Sequence, residues 1–173
     1  DYFPGKEADL ARIVNSLPLD YVIGSVHFMD DWNFDGDESL YGKWSNDELY
    51  ARYFRLVQQA VQSGLFDTVG HLDLIKKFAC YPETDQTRLF EETAEIIRKS
   101  GMAVELNTAG MDKPCMEFYP GPHWLEILHT HEIPVTISSD AHHPRQIARH
   151  YDQAIDQLKK KGYHQIITYH KRN

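Results

Sequence analysis

Three short β-branched runs in this chain each stop at a histidine or a carboxylate. Tyr21-Val22-Ile23-Gly24-Ser25-Val26 leads to His27, and Phe66-Asp67-Thr68-Val69-Gly70 leads to His71 with Asp73 two residues on. Pro134-Val135-Thr136-Ile137-Ser138-Ser139 leads to Asp140, with His142 two residues further. Short apolar runs rich in Val, Ile and Thr and bounded by Gly, Pro or Asp read as buried strands. Residues two apart on an extended chain point to the same side, so Asp140 and His142 are expected to share one pocket.

Helix-like segments separate these runs. Strands are expected at roughly 20–28, 67–74, 102–108, 134–140 and 165–169. An opening helix is expected around Ala8–Ser16. The next begins at Ser45-Asn46-Asp47-Glu48, where Ser45 and Glu48 can form a reciprocal capping box. It carries Leu49, Tyr53, Leu56, Val57, Ala60 and Val61 on one face and stops at Gly64. Another runs from about Asp85 to Ser100 with Leu89, Phe90, Ile96 and Ile97 inward and Gly101 at its end. A further helix starts after Pro122 with Trp124, Leu125 and Leu128, and the last follows Pro144 with Ile147, Tyr151, Ile155 and Leu158, closing at Gly162. Strand–helix–strand repeats predict parallel strands joined by helical crossovers, an α/β fold. The histidines and Asp140 sit late in their strands, on the carboxyl-end face where such folds build their sites.

Composition narrows the partners. At 173 residues the chain has room for one domain with a proper core. A formal charge of −8 disfavours phosphate backbones, so nucleic acid is not an expected partner. No apolar run approaches the ~20 residues that span a bilayer, and residues near Asp1 do not resemble a signal peptide, so no membrane partner is expected. Two cysteines, Cys80 and Cys115, make no disulfide framework and suit a reducing cytoplasm.

Zinc, iron and manganese hydrolases need imidazoles and carboxylates converging from separate elements, with positions left open for water and substrate. His27, His71, Asp140 and His142 meet that need if their strands are neighbours; as isolated residues they would cap loops. Asp73 can either orient an imidazole from behind or cap its own loop. Asn107, near the end of its strand, is a candidate for positioning substrate or a ligand, and one parity of Glu105 and Asn107 should face inward. His143 and the remaining histidines read as structural or solvated. The acidic run Asp30, Asp31, Asp35, Asp37, Glu38 reads as a solvated loop that can also attract a cationic amine.

Taken in order, Asp1-Tyr2-Phe3-Pro4-Gly5, Ile23-Gly24-Ser25-Val26-His27-Phe28, Gly70-His71-Leu72-Asp73-Leu74, Glu105-Leu106-Asn107-Thr108-Ala109-Gly110 and Ser139-Asp140-Ala141-His142 resemble the histidinol-phosphatase branch of the PHP (polymerase and histidinol phosphatase) family. The resemblance implies a distorted (β/α)7 TIM-like barrel, a trinuclear centre of divalent metals (Zn, Fe or Mn) and hydrolysis of a small phosphate monoester. By resemblance, His27 and His71 would bind one metal, Asp140 a second and His142 a third. The family's opening His-x-His pair, two further histidines and a bridging Glu lie upstream of the Asp-Tyr-x-Pro-Gly segment and are not among these residues. Residues 1–173 would thus form a single domain, the carboxy-terminal portion of the barrel, partnered by an N-terminal segment of the same protein. The turn after Asn107 is commonly basic in these phosphatases. Here it reads Met111-Asp112-Lys113, which leaves Lys113 as the expected phosphate ligand and Asp112 as a weakening neighbour. Other readings are a PHP phosphoesterase acting on nucleotides, a PHP-like binding module without metals, and an amidohydrolase on a related barrel.

Overall fold

A computed structural model describes residues 1–171. In chain order the elements are α1 (Glu7–Asn15), β1 (Ile23–Gly24), β2 (Phe28–Met29), β3 (Trp32–Asn33), α2 (Asn46–Gln62), β4 (Thr68–Val69), α3 (Thr87–Ser100), β5 (Ala103–Asn107), α4 (Pro122–Thr130), β6 (Val135–Ser138) and α5 (Tyr151–Lys160). Single 3-10 turns fill Leu74–Lys76, Thr108–Asp112 and Pro144–Gln146. The main sheet runs β1-β4-β5-β6 and every pairing in it is parallel. An α/β fold with a parallel sheet is therefore what the chain forms. Among the described residues no helix is long and apolar enough to cross a membrane.

α2 shows why these residues choose these elements. The Ser45 side chain accepts the Glu48 N–H at 3.2 Å and covers one free donor at the helix start. The reciprocal half of the expected box does not form: Glu48 instead takes Arg52 at 3.2 Å, one turn along. Gly64 then adopts a left-handed φ of 68°, which glycine reaches without steric cost. The inward face buries Leu49, Tyr53, Val57, Ala60 and Val61 as expected, leaves Leu56 only partly buried, and adds Tyr50 and Phe54. Phe54 is fully buried, and its ring lies 5.2 Å from Trp124 and 5.3 Å from Phe90. This aromatic cluster binds α2, α3 and α4 into one layer over the sheet, with roughly 1.5–3 kcal/mol from each large side chain removed from water.

Several expectations need correction. The strand expected over 20–28 pairs only at Ile23–Gly24; beyond it the chain turns into the β2–β3 hairpin, which carries the acidic run back over the sheet. No strand forms at 165–169. That stretch is an extended strap, tied by Ile167 N–H to Val135 O at 2.9 Å and by Tyr169 O–H to Asp67 O at 3.2 Å. The Tyr169 ring stacks on Tyr21 at 4.8 Å, so the strap crosses the amino ends of the strands, opposite the candidate site. The last helix does not start at Pro144. It begins at Tyr151, after a break in which Ala148 and His150 both take φ of 58°, and Ile147 points out at 70% exposure.

Candidate metal centre

Parallel pairing lines up the strand ends and gathers the predicted residues. One polar pocket of about 380 Å³ at the carboxyl ends is lined by His27, His71, Asn107, Lys113, Asp140 and His142. Of the predicted set, only Asp73 lies outside it. The His27 and His71 rings meet edge-to-face with centroids 4.8 Å apart. His27 Nδ1 is hydrogen-bonded to Asp1 Oδ1 at 2.6 Å, which presents Nε2 as the donor nitrogen. Burial pulls both imidazoles below their ordinary pKa, toward the neutral form that ligates metals.

His71 is the most constrained of these residues. Its backbone takes a φ of 21°, and its N–H donates to buried Glu105 Oε2 at 2.8 Å. Its Nδ1 is buried and has no hydrogen-bond partner among the described residues. A buried imidazole nitrogen with nothing to bind is costly, and a ligand or ion that takes its lone pair removes the cost. Glu105 also accepts Asn107 Nδ2 at 3.1 Å, and the same nitrogen reaches Asp140 Oδ2 at 3.3 Å. Asn107 Oδ1 accepts Ala109 N–H at 2.9 Å. Asn107 thus ties Glu105 to Asp140 and holds a candidate ligand in place.

The i, i+2 argument for Asp140 and His142 holds only in outcome. β6 ends at Ser138 and Asp140 is left-handed at φ 47°, so strand alternation does not orient the pair. His142 sits on the rim with its side chain 84% exposed, and its Nδ1 lies 3.0 Å from Asp140 O. His71 and Asp140 in the pocket, with Ala148 and His150 on the loop beside it, all take positive φ, as happens where surroundings over-determine the backbone.

Asp73 takes a structural role, although its side chain caps no N–H of its own loop. Its Oδ2 accepts Lys76 Nζ and Gly121 N–H, each at 2.9 Å, with no hydrogen bond to an imidazole. Lys76 also reaches Glu117 Oε2 at 2.8 Å and Phe118 O at 2.9 Å, anchoring the segment that brings Tyr119 to the pocket wall. Three charged pocket residues were not read as site residues from sequence: Asp35, Lys77 and Arg149. Asp35 belongs to the acidic run, but the hairpin folds it in to pair with Lys77 at 2.7 Å. Burial pushes its carboxyl up, and the Lys77 ammonium overrides this and holds it below the usual range. No local signal announced this, because the alternation of buried Trp32 and Phe34 puts Asp35 on the opposite, outward parity. Arg149 lies in the break before α5, where a continuous helix was expected.

The donor types suit zinc, iron or manganese: imidazole nitrogens beside carboxylate oxygens. Yet among the described residues no three His, Cys, Asp or Glu side chains gather closely enough to hold a metal ion by themselves. Among the described residues the unpartnered His71 nitrogen is the clearest open valence in the pocket.

The PHP-domain family model matches residues 3–109. The chain belongs to the PHP-domain family. Over 99% of its length the PHP chain is 34% identical to a protein of Deinococcus radiodurans named "Probable histidinol-phosphatase", and covers 66% of that protein. Over 94% of its length it is 26% identical to a histidinol-phosphatase of Lactococcus lactis, of which it covers 63%. It therefore spans just under two thirds of these curated relatives. A Lactococcus lactis histidinol phosphate phosphatase, solved with zinc, L-histidinol and phosphate, superposes with a TM-score of 0.79 at 22% identity, covering 99% of this chain and 68% of that one. That likeness speaks to the fold.

Proposed function

We propose that this PHP chain is the larger part of a metal-dependent phosphomonoesterase whose substrate is histidinol phosphate. The observation that carries the reading is the His27–His71 edge contact at the carboxyl ends of parallel strands, with buried His71 Nδ1 unpartnered and Asp140 tied in through Asn107. The names of the two sequence relatives support the substrate. On this reading residues 1–173 are a single domain, the carboxy-terminal portion of a distorted (β/α)7 barrel. An N-terminal segment of the same protein supplies the remaining ligands of a trinuclear centre. The free thiols Cys80 and Cys115 suit work in the cytoplasm on a small phosphorylated substrate, with no nucleic acid or membrane partner.

His27, His71, Asp140 and His142 would hold the metals, which supply Lewis-acid stabilisation of phosphoryl oxygens and a more acidic water. The chain's own residues do the rest. Asn107 and Glu105 fix the ligands so that little reorganisation accompanies reaction. Lys113, half-buried on the wall, places a cation beside the phosphoryl group.

The test is metal analysis of the full-length protein together with hydrolysis of histidinol phosphate against nucleotide monophosphates. Bound divalent metal, preference for histidinol phosphate and loss of both metal and activity in His71→Ala are expected. Residues 1–173 alone are expected to be inactive. Activity that survives metal stripping, or a preference for nucleotides, overturns the reading.

A further inference from the structure

Asp112 stands where the resemblance leads one to expect a basic residue, yet it does not face the pocket as a bare anion. Its two oxygens are taken by Arg149 Nη1 and His150 Nε2, each at 2.9 Å. These partners, His150 foremost, hold its carboxyl below the usual range, so it stays ionised and grips the guanidinium. Arg149 Nε also donates to Ser139 O at 3.1 Å and Nη2 to Asp140 O at 3.4 Å. Its side chain is only 14% exposed, and it lines the same pocket as Asp140, Asn107 and Lys113.

The backbone is held as firmly as the head. Ala148 N–H donates to Ser139 Oγ at 3.2 Å, and Thr108 Oγ1 donates to Arg149 O at 2.7 Å. Both neighbours of Arg149 are left-handed, so this loop departs from the helix in order to place one side chain. A guanidinium carries five N–H donors; among the described residues three are engaged, which leaves two for an incoming group. Of the other pocket cations, Lys77 is already paired with Asp35. A planar donor fork matches two oxygens of a phosphoryl group better than an ammonium does.

We propose that Arg149 binds the phosphoryl oxygens of the substrate, with Asp112 as the residue that positions it. Lys113 stays on the pocket wall, and the turn just before it supplies, through Asp112, the counter-ion of a second cation on the loop before α5. This rests on the phosphomonoesterase reading above.

The test uses the metal-loaded full-length protein, with inorganic phosphate as the probe in titration calorimetry and kcat and KM measured in parallel. Arg149→Ala is expected to weaken phosphate binding about 10- to 100-fold, as for a lost charged hydrogen-bond pair, and to raise KM, with metal content unchanged. Guanidinium ion added to the buffer should restore part of the affinity. Asp112→Asn should shift phosphate affinity the same way by less. If Arg149→Ala does not fold, Arg149→Lys carries the test and is expected to lose affinity as well. Phosphate affinity within twofold of the parent in a folded, metal-replete Arg149 variant overturns the assignment. A parent protein that neither binds phosphate nor hydrolyses the ester overturns the phosphomonoesterase reading itself, and the assignment with it.

Discussion

Replacing Lys76 by Met tests whether one buried charge holds the loop behind the pocket. Lys76 and Asp73 side chains are 3% and 5% exposed, and the ammonium uses its three donors on Asp73, Glu117 and Phe118 O. The three losses are unequal. Glu117 is 38% exposed and can turn to water, so its share is roughly 0–1 kcal/mol. The Phe118 carbonyl loses a charged donor, worth roughly 1.5 kcal/mol or more. Asp73 is the main loss, because its Oδ1 already lacks a partner and only Gly121 N–H would remain. Breaking a buried pair by removing one member costs about 3–5 kcal/mol. We expect Lys76→Met in that range, about 10 °C in melting temperature for a chain of this size. Neutralising the stranded carboxylate should then help: Lys76→Met/Asp73→Asn should be more stable than Lys76→Met by about 1 kcal/mol or more. Urea and thermal unfolding of the three proteins measure this. A loss below about 1 kcal/mol in the single variant, or a double variant less stable than Lys76→Met, refutes the argument.

Burial lowers His27 and His71 from the ordinary 6.5, so the unfolded chain binds protons that the folded one refuses. Stability of the metal-free protein is therefore present above pH 6.5 and falls as pH drops from there toward the depressed folded values. Urea midpoints at pH 8 and 5 should differ, and His71→Gln should shrink the difference; an unchanged difference counts against it. Gly110→Ala puts a Cβ 2.0 Å from Glu117 O and 3.0 Å from the Tyr119 ring, whereas Gly101→Ala meets nothing within 4 Å but keeps a φ of 74°. The first should cost about 1–3 kcal/mol through displaced backbone and the second about 1 kcal/mol through conformation. Only the first should disturb the site, read as a raised KM; equal effects on KM would contradict the packing argument.

Period and punctuation carried most of the fold. The helices came through because apolar faces at helical spacing were bracketed by Ser45, Pro122 and the left-handed glycines Gly64 and Gly101. Strand positions were legible because β-branched runs lead to His27, His71 and Asp140, but β1, β4 and β6 stop at Gly24, Val69 and Ser138, short of the ends expected at 28, 74 and 140. What failed was decided by tertiary contact. Asp35 looked solvated until the β2–β3 hairpin folded it against Lys77. Residues 165–169 have strand-like composition, but the contacts that hold them are scattered ties rather than a ladder. The helix expected from Pro144 had the right period, yet contacts of Ser139 and Thr108 with the 148–149 backbone impose a break that no local pattern announces. Lys113 was read as the phosphate cation from its place in the turn; the contribution of Arg149 depends on a pairing across 37 residues.

The sheet order β1-β4-β5-β6 follows the order of the chain. Each new strand therefore pairs with one that synthesis from the amino end has already produced. His27, His71, Asn107 and Asp140 are delivered one per strand in that same order. A nascent chain that has not yet docked β6 already holds the histidine pair but lacks Asp140, Ser139 and the anchor for Arg149. The pocket is thus completed by the last strand to arrive, and the residues that would grip metal and phosphate come together only after the scaffold stands.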